Sequence, residues 1–201
     1  MKTDVIVIGA GHAGCEAALA SSRMEIKTIL LTTNFNNIAD MPCNPSIGGS
    51  AKGIVVREID ALGGEMGDNA DKTFLQIKLL NRKKGPGVRS LRAQSDKEKY
   101  GKEMYKTLNK QKNLIMLEDL ATEILVENGK IKGVNTNNNG LIIAKKVIIT
   151  TGTYLDSYIM RGSEKFSGGP HGENTDKNLS ESLKKLGLKI IRLKTGTSPR
   201  I

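Results

Sequence analysis

The chain has 201 residues, 38% of them hydrophobic and 26% charged, with a net charge of +10. That length supports a sizeable core in one large domain or two small ones, and the composition excludes a disordered chain. Three percent aromatic residues without any tryptophan exclude recognition by many stacking platforms.

The opening "DVIVIGAGHAG" gives a short β-branched strand, Val5 to Ile8, running into a glycine turn. "GCEAALASSRM" follows as a helix with small residues on its inner face, and Ile26 to Thr32 form a second strand. This is a βαβ unit, which implies a parallel sheet. The apolar run before Gly9 is too short for a signal peptide, and no apolar run approaches a membrane span. Cys15 and Cys43 lie far apart and outside any CxxC pair, so a reducing, cytoplasmic setting fits. With two histidines in the chain, no metal constellation is expected.

Residues 34–53 read as loop with a short helical turn, and "PCNPSIGGSAKG" within them is dense in backbone-constraining residues. "AKGIVVREIDALGG" reads as a helix with an apolar stripe of Ile54, Val55, Ile59 and Leu62, stopped by Gly63 and Gly64. Residues 72–82 read as helix, "KKGPGV" as a break, and residues 90–111 as a long, polar, basic helix. A run of strands follows, with turns at Asn128-Gly129 and at Asn137 to Gly140, and its last strand spans Lys146 to Thr150. Residues 177–186 read as helix ended by Gly187, and "LKIIRL" as a strand. The chain then stops as a strand delivers it to a new loop, which suggests a piece of something longer.

The charge is concentrated. Thirteen Lys or Arg stand against Asp96, Glu98 and Glu103 between Lys72 and Lys112, so the rest of the chain is neutral overall. Localised excess of this kind suggests an anionic partner, although charge runs are commonly just solvated helix faces.

Gly9-Ala10-Gly11-His12-Ala13-Gly14 is GxGxxG, placed directly after a strand and opening a helix. Gly9 permits the tight turn, Gly11 lets backbone approach a pyrophosphate, and Gly14 lets helix and strand pack closely. The phosphates sit at the helix N-terminus, where unpaired N–H groups and the dipole favour anions. At His12 the backbone N–H matters more than the imidazole. An acid usually takes the ribose hydroxyls at the end of the second strand. Here Thr33 and Asn34 stand there as neutral ribose partners.

Five blocks together carry a resemblance: "GAGHAGCEAA" (9–18), "MPCNPSIGGSAKGIVVREIDALGG" (41–64), "LLNRKKGPGVRSLRAQSDKEKY" (79–100), "TTGTYL" (150–155) and "RLKTGTSPRI" (192–201). The chain resembles, over essentially its whole length, the N-terminal part of the tRNA uridine 5-carboxymethylaminomethyl modification enzymes, the MnmG or GidA family. The fold implied is α/β: a Rossmann-like FAD-binding domain of the glutathione-reductase-like class, with a parallel sheet plus a β-meander, truncated at its C-terminal side. Residues 1–160 would form the dinucleotide-binding core and residues 161–201 the start of the insertion leading to a second domain.

The resemblance implies a flavoprotein acting with the GTPase MnmE on carbon 5 of the wobble uridine of tRNA. Methylene-tetrahydrofolate supplies the one-carbon unit, glycine or ammonium the nitrogen, FAD the redox step and NADH the reducing equivalents. A homodimer is also implied. By resemblance to glutathione-reductase-like folds, Thr151 and Gly152 pass beside the cofactor and Ala121 neighbours its adenine. The loop with Gly48 and Gly49 crosses toward the flavin and brings Cys43 there. Two roles stay open to that thiol: nucleophile on the uracil ring, or a packing contact on the flavin. Lys83, Lys84, Arg89 and Arg92 are the candidate contacts to the tRNA backbone. Two alternatives remain at this stage, a folate- and FAD-dependent tRNA uridine methyltransferase of the TrmFO type and a non-catalytic nucleotide- and RNA-binding fragment.

Overall fold

Val5–Ile8, four consecutive buried β-branched residues, form β1, and helix α1, His12–Arg23, follows it after the glycine turn. Strand β2 is Thr28–Thr32. The computed structural model describes residues 1–42, 44–169, 175, 177–194 and 196. After β2 a 3-10 turn, Phe35–Asn37, is capped by the Asn34 side chain, which accepts from the Asn36 N–H at 2.9 Å. The next elements are β3, Ser46–Gly48, α2, Lys52–Ala61, α3, Met66–Thr73, β4, Phe74–Leu80, β5, Ser90–Ser95, and α4, Lys97–Lys110. Strands β6, Leu114–Glu118, β7, Ala121–Glu127, β8, Lys130–Thr136, β9, Gly140–Ile143, and β10, Lys146–Ile149, come next. A small antiparallel pair, β11, Tyr158–Arg161, and β12, Glu164–Ser167, precedes α5, Lys177–Lys185.

The central sheet is parallel, in the order β10-β1-β2-β6. β1 and β2 are buried on both faces, as expected of parallel strands covered by other layers. Val5, Val7 and Leu30 point into one core with Cys15, Leu19, Tyr100, Met104 and Leu108, while Ile6, Ile8, Ile29 and Leu31 point into a second with Ile124, Val134, Ile142 and Leu179. The period-2 alternation of strand side chains divides the residues between the two layers. The first layer holds α1 and α4. The second holds the antiparallel meander β7-β8-β9 and α5.

The antiparallel sheet β3-β5-β4 is where the sequence reading fails most. Residues 34–53 contain a strand, β3. Helix α3 ends at Thr73, and most of the expected helix 72–82 is instead β4, whose Ile77 and Leu79 alternate with Gln76 and Lys78. β5 replaces the start of the expected helix 90–111. Asp96 divides the two, its Oδ1 accepting from Lys99 N at 3.0 Å to cap α4. Cross-strand pairing across the Gly85-Pro86-Gly87 turn overrides the local helical bias. The apolar stripe on α2 also faces the wrong way. Ile54 and Val55 are half exposed and Leu62 is 89% exposed, while Gly53 and Val56 are the buried positions. Residues 188–193, expected as a strand, form none.

Candidate nucleotide cleft and basic hairpin

The turn after β1 has the backbone that glycine alone tolerates. Gly9 has φ +100°, and a Cβ there would lie 2.5 Å from the Thr150 carbonyl oxygen. A Cβ on Gly14 would lie 1.7 Å from the Gly9 carbonyl oxygen, so α1 rests directly on the turn. Gly11 differs: nothing lies within 4 Å of its missing Cβ. Gly11 is the N-cap of α1 and no side chain caps the helix. The N–H groups of its first turn therefore have no side-chain acceptor, which leaves a ready anion site.

That open side faces a cleft of about 320 Å³. Of the expected cofactor residues, Gly9, Ala10, Gly11, Thr33, Ala121, Thr151 and Gly152 line it. The structure brings these seven together from the ends of β1, β2 and β10 and the start of β7. His12, Ala13, Gly14, Asn34, Gly48 and Gly49 are not among the lining residues. Gly14 serves packing, and Asn34 caps its turn. Gly48 has φ +113° and gives close approach to β5, since a Cβ there would sit 2.2 Å from the Leu91 carbonyl oxygen.

His12 turns its imidazole toward the first core, its ring centroid 5.5 Å from that of Tyr100. Its Nε2 has no hydrogen-bond partner among the described residues. Burial, with a smaller push from the Lys52 charge, lowers its pKa to about 4, so the ring is neutral near pH 7. Cys15 is fully buried, donates to the Ala10 carbonyl at 3.3 Å, and burial raises its pKa to about 12. It is a packing residue, not a nucleophile. Cys43 lies outside the described residues. Its neighbour Pro42 lines the cleft.

Several lining residues escaped the sequence reading: Thr32, Asp40, Pro42, Asp119 and Thr150 among them. Asp119 is buried. Burial pushes its carboxyl up, but hydrogen bonds from Asn139 and Thr136 and from the Leu120 and Asn138 N–H groups outweigh it and hold the pKa below the usual value. The carboxylate fixes the turn after β8, which explains an acid at the mouth of an anion site. A strand end followed by Glu118-Asp119 was the available signal.

The basic segment divides in two. Lys83, Lys84 and Arg89 stand exposed on the connection between β4 and β5. Arg92 lies within β5, half-buried, opposite Gly48 on one side and Lys78 on the other.

The sequence profile of the family described as "Glucose inhibited division protein A" matches residues 4–201. The chain belongs to the GidA family. It is 59% identical over 198 residues to the tRNA uridine 5-carboxymethylaminomethyl modification enzyme MnmG of Geobacillus thermodenitrificans, covering 98% of this chain and 32% of that protein. The crystal structure of Aquifex aeolicus GidA superposes with a TM-score of 0.94 at 47% identity, over 98% of this chain and 33% of that one. The GidA-related protein from Thermus thermophilus shares the fold, with a TM-score of 0.68 at 18% identity, over 94% of this chain and 70% of that one. The chain thus spans about a third of the length of the Geobacillus and Aquifex relatives. Its mixed architecture, a parallel Rossmann-like sheet joined to antiparallel ones, is that of the GidA fold. Among the described residues no helix is long and apolar enough to cross a membrane.

Proposed function

We propose that this chain is the N-terminal, FAD-binding part of an enzyme that adds a (carboxymethyl)aminomethyl group to carbon 5 of the tRNA wobble uridine. In this reading it acts in the cytoplasm as a homodimer with the GTPase MnmE, and uses methylene-tetrahydrofolate and NADH as co-substrates. Residues 1–160 are the core of the cofactor fold, and residues 161–201 lead toward a second domain. The observation that carries the reading is the uncapped first turn of α1 opening onto a cleft at Gly11. The 59% identity to an MnmG favours the aminomethylating reading over the methyltransferase and scaffold alternatives.

The residues present fit a dinucleotide. The backbone N–H groups at His12, Ala13 and Gly14 suit its pyrophosphate. Thr33 offers a neutral hydroxyl to a ribose, and Ala121 a small apolar wall to an adenine. Thr151 and Gly152 flank the cleft beside β10. Bound FAD would supply the redox chemistry of the reaction. The chain's part is to bind and orient it and to shield it from water. Cys43 follows a cleft residue in sequence and is the proposed nucleophile toward the uracil ring, with a flavin contact as its other role. Lys83, Lys84, Arg89 and Arg92 are the proposed contacts to the tRNA backbone, on the strength of their localised, unneutralised charge.

The decisive test is colour. The purified chain, incubated with FAD and passed through gel filtration, is expected to retain absorbance near about 450 nm in proportion to protein. A colourless product rejects the cofactor reading. For Cys43, the measurement is turnover of the longer enzyme carrying Cys43→Ala at unchanged flavin content. Near-normal turnover removes the nucleophile role and leaves the flavin contact.

A further inference from the structure

Lys52 and Arg92 are two neighbouring cations that share no carboxylate among the described residues. The Lys52 ammonium donates to the Ser46 carbonyl at 3.1 Å, which occupies one of its three N–H donors. Ser46 lies two residues before Gly48, and Gly48 is the register partner of Arg92. Across the other edge of β5, Arg92 is paired with Lys78. Neither Lys52 nor Arg92 has an ion pair with an acid among the described residues, and the five guanidinium donors of Arg92 have no acceptor among them. Burial and the Arg92 charge both lower the Lys52 pKa. Two neighbouring cations, an exposed ammonium and a half-buried guanidinium, repel each other, and an anion bound between them relieves that repulsion.

Two further groups surround this pair. Ser90, two residues before Arg92 on the same face of β5, is buried, and its hydroxyl has no partner among the described residues. Gly48, opposite Arg92, contributes no side chain to cover the guanidinium. Planar guanidinium plus ammonium is the donor set that suits a phosphate oxyanion, the first as a fork and the second as a point charge. Neither cation lines the cleft. The exposed cations of the hairpin connection precede Arg92 along the same strand pair and continue the surface outward.

We propose that Lys52 and Arg92 form an oxyanion site for one phosphodiester of the RNA substrate, apart from the exposed hairpin connection. The proposal rests on the RNA-binding reading of the preceding subsection and adds a specific seat for one phosphate. It separates the exposed cations of the hairpin connection, which attract RNA, from Lys52 and Arg92 beside β3, which fix its register.

The test is fluorescence anisotropy of a labelled tRNA anticodon stem-loop with the full chain, between about 50 and 200 mM KCl. Four variants are compared: Lys52→Gln, Arg92→Gln, Arg92→Lys, and Lys83→Gln with Arg89→Gln. Lys52→Gln and Arg92→Gln are each expected to weaken binding about tenfold. Each should also reduce the slope of log affinity on log salt by about 0.7 to 0.9, the value of one phosphate. Arg92→Lys keeps the charge but loses the fork, and should weaken binding with the slope retained, which separates phosphate contact from a general folding defect. Flavin retention should not change in any of them. If Lys52→Gln and Arg92→Gln bind as the wild type does while the hairpin pair weakens, RNA binding stands and this site is wrong. If the wild type shows no salt-dependent RNA binding, both readings fall. If Lys52→Gln sheds flavin but keeps its RNA affinity, the anion belongs to the cofactor and the proposal is overturned.

Discussion

Thr150 holds Gly9 in place from the far edge of β1. Its hydroxyl lies 2.8 Å from the Ile8 carbonyl and 2.9 Å from the Gly9 carbonyl, and its backbone N–H bonds Ile8 at 2.9 Å. Residues more than a hundred positions apart thus define one glycine turn. Replacing Thr150 by Val keeps the shape and removes the hydroxyl donor; the Ile8 carbonyl keeps the backbone N–H, and the Gly9 carbonyl is left without this partner. The expected loss is about 1 kcal/mol, read by chemical denaturation, with weaker flavin retention. Thr150→Ser should recover most of both.

The three glycines of the turn separate into two crowded positions, Gly9 and Gly14, and an open one, Gly11. Gly14→Ala forces a methyl into the Gly9 carbonyl and should cost about 3 kcal/mol or more, lowering the melting temperature whether or not cofactor is added. Gly11→Ala meets no protein atom and should melt like the wild type in the absence of ligand. Its defect should appear only as lost flavin absorbance and a smaller ligand-induced shift in melting temperature.

His12 gives the fold a pH dependence of defined sign. Its folded pKa of about 4 lies below the ordinary value of 6.5, so between those limits the unfolded chain binds more protons. Its contribution is fully present above about pH 6.5, falls away as pH drops toward 4, and is gone below that. The loss is expected to be about 3 kcal/mol over that window. Urea titrations of the wild type and of His12→Asn, run at several pH values, should show the variant curve flatter by that amount. Parallel curves would mean that the imidazole finds a way to protonate in the folded state.

Glu16 ties α1 to the start of α3. Its carboxylate accepts from Met66 N at 2.7 Å and Glu65 N at 3.0 Å at the start of α3, while Glu65 pairs with Arg23 and accepts from Thr107 at 3.2 Å. A carboxylate there serves the orphan N–H groups and the positive end of the helix together. Glu16→Ala should cost about 1 to 2 kcal/mol, a melting shift of roughly 3 to 6 °C for a chain of this size.

The glycine turn was legible because it is local. Gly9, Gly11 and Gly14 carry their geometry within six residues, and the strand before them and the helix after them follow from short, strong patterns. The cleft's far walls were legible only through resemblance, since Ala121, Thr151 and Gly152 reach Gly11 by way of sheet order rather than sequence distance. What failed were the three strands Ser46–Gly48, Phe74–Leu80 and Ser90–Ser95, while the helix Lys52–Ala61 between them forms as expected. The Leu and Ile residues of β4 sit on a strand with little burial, so no strong alternation marked them, and the lysines around them favoured a helical reading. The pairing of Arg92 with Gly48 joins segments more than forty residues apart, and nothing in local spacing announces it.

Strand β4 is the outer strand of its sheet and is exposed along nearly its whole length, with Leu75 at 69% and Ile77 and Leu79 facing solvent. Its free backbone edge is a template for a neighbouring chain, with Lys78 as the lone charge in the strand to discourage it. At high concentration this strand favours association, against the repulsion that the net charge of +10 supplies. Leu75→Lys is the change that would keep a concentrated preparation clear without touching the cofactor cleft.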